Sequence, residues 1–231
     1  MTEISANPFY AAYDRRGQGT ELKNKHIRQY SIDFIEACAW RPGMSVLELG
    51  CGNGLFLRFL QHMGVENFLG VDGDPRVLEE MPESLKTRVK ISDFSAFFSS
   101  DCQEKYDRIV LFDVLEHFSP EDGVGLLASL KGRLKEGGRV VVRVPNVASP
   151  FGLNLQYNDV THRTAYTPGS IAQVARAAGC EIVAIRPQSY SSWGKEVREK
   201  LLTATLNWFL AMPPTVWSPL MIAVLEAKPK S

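Results

Sequence analysis

The sequence has no surplus of either charge: 26 Lys and Arg balance 26 Asp and Glu. A broad basic face for a phosphate backbone is therefore not expected, and no nucleic-acid partner is read from composition. Cysteine is scarce. Cys38, Cys51, Cys102 and Cys180 are scattered with no CxxC pair, which fits neither a disulfide framework nor a zinc site. Reduced thiols in a cytoplasmic protein are the expectation. No grouping of Asp, Glu and His along the chain suggests a magnesium site, so no metal is expected. The start, "MTEISANPFY", lacks the basic and apolar regions of a signal peptide. Charge is also missing from Thr203 to Leu225. That run is long enough to span a bilayer, for which about 20 residues suffice. Pro213, Pro214 and Pro219 interrupt it, and each proline inside a helix costs about 3 kcal/mol. A buried or membrane-surface segment is expected instead.

What is present is an ordinary globular composition, 45% hydrophobic and 23% charged over 231 residues, enough for one good-sized α/β domain. Short apolar runs alternate with segments of helical period. "MSVLEL", "NFLGVD", "VKISD", "YDRIVLF", "RVVVRVPN", "EIVAIRP" and "LMIAVLEAK" read as seven strands. Between them, "LFLRFLQHMG" reads as a helix stopped by Gly64. "DPRVLEEMPESL" reads as one capped by Asp74 with Pro75 in its first turn. Ser119 caps a helix closed by Gly137 and Gly138, and Thr167 caps one closed by Gly179. This alternation predicts a Rossmann-like, seven-stranded, mostly parallel sheet with helices on both faces. One domain covers 1–231: a helical cap over 1–40, a cofactor-binding half over 41–145, and an acceptor-side half over 146–231. The last part holds a loop at 146–166 and an apolar segment at 195–220.

"VLELGCGNGLF" places Gly50, Gly52 and Gly54 directly after the first strand. A nicotinamide or flavin turn prefers GxGxxG, and its third glycine position is Leu55 here. A P-loop needs Gly-Lys followed by Ser or Thr, which is absent. What remains is a turn that brings backbone close to an uncharged or cationic ligand. Asp72, at the end of the second strand, can accept both hydroxyls of a ribose. It can equally cap a turn.

"VLELGCGNG", "GVDGDP", "ISDF", "VLFDVLEHF" and "LKEGGRVVVRVPN" occur in that order. Together they resemble the class I methyltransferases that use S-adenosylmethionine, over about residues 40–185. The resemblance implies that Glu48, Gly50, Cys51, Gly52, Asn53 and Gly54 meet the methionine part of the cofactor. It implies that Asp72, with Gly73 beside it, binds the ribose, and that Asp93 and Phe94 hold the adenine. Phe112, Asp113 and Val114 would lie beneath the cofactor. His117 is either a ring near the methyl donor or a packing histidine.

Between the fifth strand and the next helix, "PNVASPFGLNLQYNDVTHRTAYTPGS" is too long for a simple connection. Phe151, Tyr157 and Tyr166 beside Asn154, Asn158, Asp159, His162 and Arg163 suit a polyhydroxylated ligand. "NDVTHRTAYTPGSI" resembles a subset of these methyltransferases found near genes for bacterial surface polysaccharides. That resemblance implies a sugar hydroxyl or amine of a nucleotide sugar or surface glycan as acceptor. His162 would be general base or acceptor-orienting group, together with Asp159; a structural histidine bonding loop backbone is the other reading. Lys195, Arg198 and Lys200 with Leu201, Leu202, Trp208 and Phe209 read either as a membrane-surface contact through 195–218 or as a helix packed on the sheet or on a second subunit. Rival functions are a small-molecule or quinone-type methyltransferase with an apolar acceptor, and a catalytically silent cofactor-binding module.

Overall fold

The computed structural model of the chain describes residues 21–99, 104–190 and 192–228. Residues 1–20 of the expected cap, and Cys102, lie outside them. Seven strands form one sheet: β1 Val46–Leu49, β2 Phe68–Asp72, β3 Val89–Ile91, β4 Tyr106–Phe112, β5 Leu134–Pro145, β6 Cys180–Pro187 and β7 Leu220–Ala227. Their order is β3-β2-β1-β4-β5-β7-β6. β1 to β5 pair in parallel, and β7 runs antiparallel between β5 and β6. The predicted seven-stranded, mostly parallel sheet is present.

The helices among the described residues are α1 Asn24–Tyr30, α2 Leu55–His62, α3 Val77–Glu80, α4 Glu83–Lys86, α5 Phe94–Ser99, α6 Pro120–Gly132, α7 Pro150–Tyr157, α8 Pro168–Ala177 and α9 Trp193–Phe209. α1 continues as a π-helical turn over Ser31–Glu36. Strand alternation sends Val110 and Phe112 of β4 to one face, where they pack with Tyr30, Phe34, Phe56 and Phe59. Ile109 and Leu111 go to the other face, among Leu126, Leu130, Ile171 and Val174. Both faces are thus covered, which is why β4 and β7 read as continuous apolar runs.

Several boundaries differ from the sequence reading. The helix expected from Asp74 is two single turns, α3 and α4, separated by Pro82; Asp74 Oδ1 instead accepts from Arg76 N–H at 2.9 Å in a tight turn. α6 has the expected Ser119 cap but ends at Gly132, and Gly137 and Gly138 belong to β5. α5 was not read at all. The long connection 146–166 contains a helix, α7, because Ser149 caps it and Pro150 occupies its first turn. Thr167 and Gly179 bracket α8 as expected, with Gly179 at φ +74°.

Cys38, Cys51 and Cys180 are buried thiols, not disulfides. Among the described residues no helix is long and apolar enough to cross a membrane. The uncharged run instead supplies the end of α9, an irregular stretch and β7.

Candidate active site at the carboxyl ends of the parallel strands

The chain leaves β1 for β2 and β3 on one side, then returns to place β4 on the other side of β1. This reversal opens a crevice at the carboxyl ends of β1 and β4, where ligands of open α/β sheets bind. The glycine turn after β1 lies there. Gly50, Gly52 and Gly54 have φ of +70°, +51° and +75°, conformations that side chains resist. A Cβ on Gly50 would come within 2.5 Å of Val114 Cγ2. Beside Gly52 the space is open. The turn is held from β2: Asp72 Oδ2 accepts from Gly52 N–H and Asp72 Oδ1 from Asp74 N–H, both at 2.9 Å. The turn-capping reading of Asp72 therefore holds in the structure. Cys51 packs its side chain against Gly70 of β2, and Asn53 Oδ1 accepts from Leu55 N–H at the start of α2.

Glu48 is buried under the turn, and its Oε2 has no hydrogen-bond partner. Burial pushes its pKa well above the usual carboxylate range, Arg143 opposes that, and Asp72 adds to it. Asp93 Oδ1 accepts from Ala96 N–H at 2.8 Å, and so caps α5. Phe94 is buried and stacks on Phe118. Phe112 differs from expectation: it points into the core against Tyr30 and Phe56, so of Phe112, Asp113 and Val114 it is Val114 that reaches the glycine turn.

Asp113 stands at φ +58°, a strained setting for a residue other than glycine. Arg143 of β5 holds it there with two hydrogen bonds, one of 3.0 Å from Nε to Oδ1 and a shorter one from Nη2 to Oδ2. The Arg143 guanidinium also lies over the Phe112 ring, 4.6 Å from its centroid. Burial alone would lower the Arg143 pKa, but Asp113 outweighs it and holds the pKa above its ordinary value. Sequence reasoning missed Arg143; its one signal is a charge in the valine run of β5.

The turn after β4 meets the stretch after α7. His117 and His162, 45 positions apart in the chain, stand edge to face with ring centroids 4.7 Å apart. Thr161 Oγ1 donates to Asp159 Oδ1 at 2.6 Å and lies 2.9 Å from His117 Nδ1. Burial would raise the Asp159 pKa, but hydrogen bonds from Thr161 and the nearby His162 and His117 outweigh it and lower the pKa. An ionised Asp159 only accepts, so Thr161 spends its proton there and His117 Nδ1 must carry a proton of its own. The lone pair of neutral His117 is then on Nε2. His162 follows the same logic: its Nδ1 faces the Gln156 carbonyl at 2.9 Å, so it donates and leaves the lone pair on Nε2. Burial, then the neighbouring His162, lower the His117 pKa.

Beneath the two rings sits Glu116, fully buried, with neither carboxylate oxygen hydrogen-bonded. Ligand atoms of Glu116, His117 and His162 all lie within 4.8 Å of one another. The Asp/Glu/His grouping that is invisible in the sequence is thus built by the fold. Of the ring-bearing residues expected around an acceptor, Phe151 and Tyr157 are exposed on α7, but Tyr166 is fully buried, its hydroxyl close to Gly123. Tyr166 is a core residue, because its bridge to Asn146 turns the chain inward.

The crevice fits a cationic, nucleoside-bearing ligand: an orphaned buried carboxylate oxygen on Glu48, open space at Gly52, and acids at the ends of β2 and β3. The comparisons decide the family. A methyltransferase-domain profile matches residues 23–185. The chain belongs to the class I S-adenosylmethionine-dependent methyltransferases. A solved S-adenosylmethionine-dependent methyltransferase from Archaeoglobus fulgidus is similar over 95% of this chain and 99% of its own, with a TM-score of 0.67 at 20% identity. The ribosomal protein L11 methyltransferase of Thermosipho africanus is 30% identical over 144 residues, 62% of this chain and 50% of that protein. The methyltransferase thus spans about half the length of that relative. The ubiquinone biosynthesis O-methyltransferase of Burkholderia thailandensis is 26% identical over 193 residues, 76% of this chain and 81% of that protein. The cofactor is S-adenosylmethionine, which supplies the methyl group.

Proposed function

We propose that this methyltransferase methylates a sugar hydroxyl or amine of a nucleotide sugar or surface glycan. The observation that carries the reading is the His117–Thr161–Asp159 and His162–Gln156 network at the mouth of the crevice. A sugar hydroxyl is a poor nucleophile at neutral pH and benefits from a group that takes or loosens its proton. Two imidazoles with Nε2 lone pairs meet that need. His162 is the base or acceptor-orienting group, His117 its neighbour, and Asp159 holds the His117 tautomer through Thr161. An amine acceptor needs alignment more than a base.

On the cofactor side, Glu48 and the backbone of Gly50, Cys51, Gly52, Asn53 and Gly54 take the methionine part. Asp72 and Gly73 take the ribose, and Asp93 and Phe94 border the adenine. Asp113 and Val114 line the floor, and Phe112 positions them from the core. The exposed apolar residues of α9 with Lys195, Arg198 and Lys200 form a peripheral contact with a membrane bearing a lipid-linked acceptor. This reading locates its work at the inner, cytoplasmic face of a membrane.

A second reading has an apolar, quinone-type acceptor. Phe151, Leu153, Tyr157 and Val160 are exposed on and just beyond α7, and one relative bears the name of a ubiquinone biosynthesis O-methyltransferase. Methyl-labelled S-adenosylmethionine separates the two in host extract split into nucleotide sugars, glycans, lipids, RNA and protein. Label in the sugar or glycan fractions is the expected result. Label confined to sugar-free lipid favours the apolar acceptor, and label in RNA or protein overturns both.

A further inference from the structure

We propose that Glu116, His117 and His162 form a binding site for one divalent transition-metal ion such as Zn²⁺ or Mn²⁺. The inference starts from Glu116. Its side chain is completely buried, and both carboxylate oxygens lack a hydrogen-bond partner. A buried carboxylate without partners costs several kcal/mol, and it is either neutralised by a proton or compensated by a cation. Its neighbours are chosen for that purpose. His162 Nε2 lies 4.0 Å from Glu116 Oε1, too far for a hydrogen bond. Two ligands flanking one tetrahedral zinc ion, at bonds of about 2.0–2.1 Å, stand about 3.3 Å apart. Small rotations close the gap.

The outer partners complete the case. Metal-bound histidines donate their other ring N–H to a carbonyl, carboxylate or hydroxyl, which fixes the tautomer. His162 Nδ1 donates to the Gln156 carbonyl at 2.9 Å, and His117 Nδ1 donates to Thr161 Oγ1, itself anchored on Asp159. A neutral ring bonded in this way carries its lone pair on Nε2, and His162 Nε2 is the atom that lies 4.0 Å from Glu116 Oε1. Two imidazoles and one carboxylate select a transition metal over magnesium or calcium, which prefer all-oxygen sites. Three protein ligands leave a coordination position open, as in catalytic rather than structural sites. With the metal bound, the Nε2 lone pairs are taken, and the coordinated hydroxyl or water itself gives up its proton to solvent more readily than the free group, in place of His162 acting as base. That use of the open position rests on the acceptor docking at this mouth; metal binding itself does not.

The test is metal content and affinity of the full chain. After chelation and dialysis, Co²⁺ is titrated by its visible absorption and Zn²⁺ by calorimetry, with S-adenosylhomocysteine binding measured alongside. The expected result is one equivalent of metal. His162→Ala and Glu116→Gln should each weaken its binding about a hundredfold or more, and Thr161→Val, an outer partner, about tenfold. His162→Ala should keep wild-type S-adenosylhomocysteine affinity. The proposal is overturned if the wild-type chain takes up no metal while binding S-adenosylhomocysteine, or if His162→Ala and Thr161→Val bind metal as tightly as wild type. If Glu116→Gln does not fold, those two variants decide. Metal binding with no label in any acceptor fraction would sink the glycan reading and leave the site standing.

Discussion

At the residue scale, the molecule gathers buried charges that its own chain does not fully satisfy. Glu48 is the clearest on the cofactor side, with a buried oxygen that finds no donor. Its raised pKa has a direct consequence for stability. The folded state binds a proton there more tightly than the unfolded chain does. The resulting stability is present below the unfolded pKa, about 4.3, and is lost as pH rises through the folded value. Glu48→Gln should therefore gain thermal stability over wild type progressively as pH rises, measured on cofactor-free protein. With Glu48 in its proposed role at the methionine part, the same variant should bind S-adenosylmethionine about ten- to a hundredfold more weakly, the loss of a charge-assisted hydrogen bond of about 1.5–3 kcal/mol. On the acceptor side, His162→Ala should lower kcat about 10²–10⁴-fold on a hydroxyl acceptor without changing S-adenosylhomocysteine affinity. Near-normal turnover would reduce His162 to a loop staple. Of these residues, Glu48, Asp72, His117, Asp159 and His162 were legible, because they sit in motifs or in an overlong loop. Arg143 and Thr161 were not. Their roles are contacts with Asp113 and His117, across sequence separations of 30 and 44 positions.

At the element scale, local capping chemistry was readable and the burial of surface segments was not. Ser119 and Thr167 cap their helices because each hydroxyl meets an orphan N–H within the same turn. α9 shows the opposite case. Its residues 193–209 contain no buried side chain, which corrects the expectation of a helix packed on the sheet. Trp208 is 80% and Met212 92% exposed, and among the described residues a bond from Trp217 Nε1 to Asn207 Oδ1 and contacts of Glu196 with Arg28 hold the helix. Large apolar side chains left open in this way mark a contact surface. The full chain should co-sediment with anionic liposomes, and Trp208→Ser with Phe209→Ser should abolish that while leaving methyl transfer to a water-soluble acceptor intact. Equal sedimentation of wild type and variant would remove the membrane from the proposal.

At the scale of the whole molecule, strand order creates the site. Placing β4 beside β1 brings the glycine turn, Asp72 and the Asp113 turn to one crevice. A ligand that binds only this assembled form stabilises it by mass action, about 2.7 kcal/mol at a hundred times its Kd. S-adenosylhomocysteine at that level should raise Tm by roughly 5–10 °C, at about 2–4 °C per kcal/mol for a chain of this size. NADH should leave Tm unchanged, and the reverse pattern would contradict the cofactor. By itself the sequence determined the number and mostly parallel character of the strands, the caps of α6 and α8, and the glycine turn with its acid. Each of these is written in residues close together, through period, turn chemistry and φ. Only tertiary structure decided that Phe112 and Tyr166 are core residues and that α9 stands open. It also brought His162 over Glu116 and His117, and gave Asp113 its partner in Arg143. Those outcomes depend on which distant segments share a face of the sheet or meet at its end, and no local pattern carries that information.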